Sequence, residues 1–153
     1  DFTATRSRWE CLVKCGDPAI AEVGATWNPL TSKDGWFAAP DNCAVDPMGG
    51  LWVATDGNER TGAADGLWAM ETDGPARGTG RAFFRAPIGA ELCGPRFTSD
   101  ARTLFVAVQH PGDSDGATYE NPATRWPDFD ARIPPRPAVV AIRNRKGGPV
   151  GRV

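Results

Sequence analysis

Histidine is nearly missing from this 153-residue chain, which has only His110. One histidine gives no basis for a Ser/His/Asp or Cys/His catalytic arrangement. It follows a strand-like run in Gln109-His110-Pro111-Gly112, where a structural role is the ordinary one. Basic clusters are also missing: the net charge is −2 and no run of Lys and Arg marks a nucleic-acid footprint. No apolar run approaches the roughly 18 residues of a membrane span. Gly78-Thr79-Gly80 precedes a strand rather than a helix, so no phosphate-cradling loop is present. Cysteine is sparse: Cys11, Cys15, Cys43 and Cys93. A Cys-x3-Cys pair with no histidine nearby is a poor zinc site. Cys43 and Cys93 read as small buried hydrophobes in strands, and a Cys11–Cys15 bridge is left open.

Gly 18 and Pro 14 are abundant, which favours short strands and elaborate loops over helices. The length suits one domain, and a domain of this size buries about 70% of the surface its unfolded chain exposes. The first residue is Asp1, in a strand-like start Phe2-Thr3-Ala4-Thr5, and the chain stops at Val153 with little sign of closure. We read residues 1–153 as a single piece cut from a longer protein, so the lack of a signal peptide carries no information on compartment.

The stretch Ala39–Gly57 organises the chain. Asn42–Val45 and Leu51–Thr55 read as strands joined by Asp46-Pro47-Met48-Gly49-Gly50, and Asp56-Gly57 stops the second. A related pattern recurs at Cys93–Val108, where Leu104-Phe105-Val106-Ala107 matches Leu51-Trp52-Val53-Ala54 at a spacing of about 53 residues. Between them, Gly66–Glu71 and Arg81–Arg85 read as further strands and Asn58–Asp65 as a polar loop. Pro137–Arg143 resumes as a strand after a long Pro-, Asp- and Gly-rich loop, residues 110–137. Tyr119, Trp126 and Phe129 make that loop an ordered cover in this reading. Near the start, Trp9–Lys14 reads as a strand, with a single helical turn at Ala19–Val23, and Trp27, Trp36 and Phe37 need burial. The expected fold class is all-β: a fragment of a β-propeller, roughly two blades plus an entering segment, with long loops and exposed sheet edges.

In propellers the loops before the innermost strands converge at one end of the channel. Asp41-Asn42 precedes one such strand and Glu91 precedes another, separated from it by Leu92-Cys93. Their oxygens are hard donors suited to calcium or, for carboxylates, ferric iron. Asp56, at the end of the second strand, is a further candidate. Each has an ordinary alternative: an Asx-type turn for Asp41-Asn42, a solvated loop carboxylate for Glu91, and an Asp-Gly turn for Asp56.

Four runs carry a family resemblance: Trp36–Pro47, Gly89–Thr98, Thr103–Gly112 and Pro135–Ile142. In order and spacing they resemble the PhoX-type alkaline phosphatase family, secreted phosphatase-like proteins, over about residues 9–150 and in the C-terminal part of the family's sequence. The resemblance implies a β-propeller hydrolase of phosphomonoesters, exported to the periplasm or beyond, with calcium and iron in a channel cluster. By position in the matching runs, Asp41 and Glu91 are the leading metal-ligand candidates, with Asn42 and Asp56 behind them. The family's bridging cysteine and several carboxylates lie upstream, so Cys43 and Cys93 are not assigned that role. The expected partners are a phosphomonoester substrate and the upstream blades of the same protein, with no nucleic acid and no membrane span. Two other functions share such a fold: a non-catalytic binding or scaffolding module, and a calcium-dependent lactone hydrolase.

Overall fold

A computed structural model describes residues 3–151. Seven strands form two antiparallel sheets. The first sheet has the order β1 (Pro40–Val45), β2 (Leu51–Thr55), β3 (Gly66–Met70) and β4 (Gly80–Arg85). The second has the order β5 (Glu91–Phe97), β6 (Thr103–Gln109) and β7 (Ala138–Arg143). The one helix among the described residues is a short 3-10 turn, Asn58–Thr61. The architecture is all-β, as expected, and the sheets do not close into a ring: β4 ends one sheet and β7 the other. The sequence repeat is visible in the topology. β1–β2 and β5–β6 are equivalent hairpins, and Leu51–Ala54 and Leu104–Ala107 lie in the second strand of each.

Burial explains why β2 and β3 are almost uniformly apolar instead of alternating. On one face, Trp52, Ala54 and Leu67 meet Leu92, Leu104, Val106 and Val108 of the second sheet. On the other, Val53, Trp68 and Met70 join Phe37 under Leu12, Val13, Cys15 and Trp27 of the N-terminal segment. Strands covered on both faces lose the apolar–polar alternation of a half-solvated strand. The turn between β1 and β2 is locked by a side chain. Asp46 is 4% exposed and accepts from the Met48 N–H at 2.8 Å, the Gly50 N–H at 2.9 Å and Trp52 Nε1 at 2.9 Å. The Asp-Pro turn is therefore also a buried acceptor for the core tryptophan.

Several expectations are corrected. Trp9–Lys14 forms no strand: it has no ladder partner, its Lys14 instead pairs with Thr26, and Trp9 stays 85% exposed. Thr3–Thr5 is not strand either, and Phe2 lies outside the described residues. Ala19–Val23 makes separate i→i+3 turns rather than a helical turn. In the long loop only Trp126 packs on the core, whereas Tyr119 and Phe129 are 73% and 71% exposed. Cys43 is exposed, Cys93 is half-buried, and Cys11 and Cys15 are free thiols. The need of Phe37 for burial is met in full, and those of Trp27 and Trp36 in part.

Candidate functional site

One end of both sheets gathers the chemistry. The strand registers pair Pro40 with Thr55, Gly66 with Arg85, and Glu91 with Gln109. The start of β1, the end of β2, the start of β5 and the end of β6 therefore lie at this end. They carry Asp41, Asn42, Asp56, Glu91 and His110.

Two β-bulges shape it. In β1 the register jumps between Pro40 and Cys43, so Asp41 and Asn42 sit in the irregular stretch. In β5 it jumps between Cys93 and Arg96, with Gly94 at φ +60. A bulge adds a residue and re-aims its side chains. Here the two bulges are tied together: the Gly94 N–H donates to Asn42 Oδ1 at 2.9 Å, while Asn42 Nδ2 donates to Asp41 Oδ2. The main-chain donor on one side fixes which amide atom is oxygen. Asn42 thus joins the two sheets and holds Asp41.

Cys93 lies two residues along β5 from Glu91. Burial first, and then the charges of Glu91, Asp41 and Asp56, push its thiol pKa up, against a hydrogen bond from Gln109 that lowers it. Glu91 opens β5 instead of preceding it in a loop, and its side chain is only 15% exposed. Asp41 and Asp56 are exposed. Asp56 follows β2, its N–H donating to the Ala39 carbonyl at 3.1 Å. Behind it, a buried carboxylate organises the 57–66 loop. Asp65 is 3% exposed and accepts from Thr55 Oγ1 at 2.5 Å, the Asn58 N–H at 2.9 Å and the Gly57 N–H at 3.0 Å. In the sequence Asp65 is one residue of a polar loop; its signal is an acidic residue immediately before a strand of apolar residues.

His110 faces Glu91. Its Nδ1 lies 3.0 Å from the Gly89 carbonyl, its Nε2 3.5 Å from Glu91 Oε2, and Asp113 Oδ2 is 4.0 Å from Nδ1. Burial lowers the His110 pKa, but the bonds to Gly89 and Glu91 and the Asp113 charge raise it more, so the net direction is up.

The donors suit a hard cation in kind, being carboxylate and amide oxygens. In number they fall short: among the described residues no group of three His, Cys, Asp or Glu side chains is placed to hold a metal ion. Among the described residues the four candidates do not by themselves form a metal site. A separate cavity of about 550 Å³, between the N-terminal segment and the end of β4, is lined by Trp27, Trp36, Lys33 and Arg85 among others. It contains none of the four.

Three comparisons bear on the chain. The family model described as alkaline phosphatase PhoX matches residues 1–112. The solved structure of Pseudomonas fluorescens PhoX in complex with vanadate, a transition state analogue, is similar with a TM-score of 0.74 and 31% identity. That likeness covers 92% of this chain and 24% of that one, so the chain spans about a quarter of the length of the structure it resembles. No curated protein matches it.

Proposed function

The chain belongs to the alkaline phosphatase PhoX family, and from that premise we propose that it forms part of a metal-dependent phosphatase acting on phosphomonoesters. The observation that supports the proposal is that β1 and β5, which carry Asp41, Asn42 and Glu91, are tied together by the Gly94 N–H donating to Asn42 Oδ1 at 2.9 Å. Carboxylates repel a phosphate dianion, so they serve phosphoryl chemistry only if cations stand between the two.

In this reading Asp41 and Glu91, helped by Asn42 and Asp56, supply oxygen donors for calcium and iron. When bound, those ions neutralise phosphate charge and activate an oxygen nucleophile. The chain's own residues hold the donors still. Asn42 locks Asp41 across the paired bulges, and Asp65 fixes the loop that follows Asp56. We further propose that these sheets are C-terminal blades of a β-propeller whose upstream blades complete the site. The protein would act in the periplasm or outside the cell.

The test is p-nitrophenyl phosphate hydrolysis by the full-length parent. Activity should vanish with a chelator and return with calcium, and Glu91→Gln and Asp41→Asn should each lower kcat/KM by at least about tenfold. A folded, metal-loaded parent that hydrolyses no phosphate ester removes the phosphatase reading and leaves the binding-module or lactone-hydrolase reading. Mutants with unchanged rates remove the residue assignment.

A further inference from the structure

The 110–137 loop is fastened at several points, yet it leaves the Tyr119 ring 73% exposed. Trp126 packs against the core between the sheets. Beside it, the Arg125 guanidinium donates to the Glu120 carbonyl at 2.8 Å and to the Ile133 carbonyl at 3.3 Å, and Arg136 pairs with Asp128 at 2.7 Å. The Thr118 N–H donates to the Asn121 carbonyl at 3.2 Å, and the Asn121 N–H returns to Thr118 Oγ1 at 3.1 Å. Tyr119 therefore stands between two tied neighbours, Thr118 and Glu120. A ring held by its neighbours but buried against nothing is available to a ligand.

Tyr119 lines a hollow of about 310 Å³ together with His110, Pro111, Pro122, Pro134 and Pro135. Proline and tyrosine offer flat apolar faces, which suit another flat apolar group. Asp113 is the one carboxylate in this lining among the described residues, and no Lys or Arg joins it. A second anionic group would be repelled there. The hydroxyls of a polyol would find few partners, since the Thr118 hydroxyl is already engaged by Asn121. The hollow adjoins the candidate site: its wall residue His110 has Nε2 3.5 Å from Glu91 Oε2. Strand register brings this about, because Glu91 pairs with Gln109 and the loop leaves the sheet at the next residue.

We propose that this hollow receives an uncharged aromatic alcohol group of the phosphomonoester, with Tyr119 stacking on its ring while the phosphate lies at the Glu91 end. The proposal rests on the phosphatase reading and makes Tyr119 a specificity-determining residue of that site. Binding energy from such a remote, non-reacting part of a substrate is expressed in kcat/KM.

The experiment uses the full-length parent and two substrates, p-nitrophenyl phosphate with an aromatic alcohol group and glycerol 2-phosphate with a polyol. Each variant is compared with wild type on the same substrate, so the intrinsic reactivity of the leaving group cancels. Tyr119→Ala should lower kcat/KM on p-nitrophenyl phosphate about five- to tenfold, the size of a lost ring–ring contact, and leave glycerol 2-phosphate within about twofold of wild type. Tyr119→Phe keeps the ring and should match wild type on both. Neither variant should change the melting temperature, because the exposed ring supports no core contact. The proposal is overturned if Tyr119→Ala leaves p-nitrophenyl phosphate hydrolysis unchanged, if glycerol 2-phosphate suffers as much or more, or if Tyr119→Phe is as impaired as Tyr119→Ala. In those cases an active wild type leaves the phosphatase reading standing. A wild-type parent that hydrolyses neither ester removes that reading, and the proposal with it.

Discussion

Asp65→Ala removes more acceptor capacity than any other single truncation in the site's support. It deletes both oxygens that receive Thr55 Oγ1, the Asn58 N–H and the Gly57 N–H. A buried donor left without an acceptor costs about 1–3 kcal/mol. The Gly57 N–H is half-buried and recruits water readily, so it belongs at the low end. The Thr55 hydroxyl also accepts from the Gly66 N–H at 3.1 Å and has little freedom to turn elsewhere. Together these give a loss of about 3–5 kcal/mol. For a domain of this size that lowers the melting temperature by roughly 10 °C. Asp65→Asn keeps one oxygen for Thr55 and Asn58 but sets an amide N–H against the Gly57 N–H, so its loss should be smaller, about 1–2 kcal/mol. Urea titration followed by circular dichroism, with thermal melts at the same protein concentration, measures both. The urea midpoint should fall while its slope stays constant. A change below about 0.5 kcal/mol for Asp65→Ala, or equal losses for the two variants, would refute the idea that this carboxylate holds the loop.

Two other outcomes follow from the same geometry. Gly89→Ala would set a Cβ 2.5–2.7 Å from the Asp113 backbone at φ +69, so it should lower the melting temperature of the protein and loosen the 110–113 segment to proteolysis. Thiol alkylation should be ordered: burial, then the neighbouring Cys11, push the Cys15 pKa up to about 11. At pH 8 only about one Cys15 in a thousand is thiolate, so exposed Cys11 and Cys43 should be modified first in a time course followed by mass spectrometry. Cys15 reacting at their rate would contradict its burial.

The strands were legible because their signals are local. Leu51–Thr55 runs between Gly-Gly and Asp-Gly, and those breakers fix both ends. Gly66–Met70 matches the expected Gly66–Glu71 to within one residue, and the Leu104–Ala107 repeat falls inside β6. Trp9–Lys14 differs because apolar residues describe a surface to be covered and say nothing of a neighbour to bond; Leu12 and Val13 do reach a core, without a ladder. Tyr119 and Phe129 differ because an aromatic ring in a loop is not by itself a buried one. Of the candidate site, the sequence shows Asp41, Asp56 and Glu91 singly, each at or beside the end of a strand. What joins them was hidden, because it depends on register. The paired bulges at Asn42 and Gly94, and the approach of His110 to Glu91, exist only once β1, β5 and β6 are aligned.

The outer edge of β7 has a consequence for handling the protein. β7 bonds only to β6 among the described residues, and Val139, Ala141 and Arg143 face solvent along it. One side of its backbone is a row of vacant donors and acceptors, a template on which any extended chain can crystallise a new rung. Pro135 and Pro137 stand just before it and offer no N–H, so the template is short at that end. The remaining protection is charge at the other end, from Arg143 and Arg145. Colloidal behaviour in salt should therefore be decided at this strand, where screening those two arginines exposes Val139 and Ala141 to self-association.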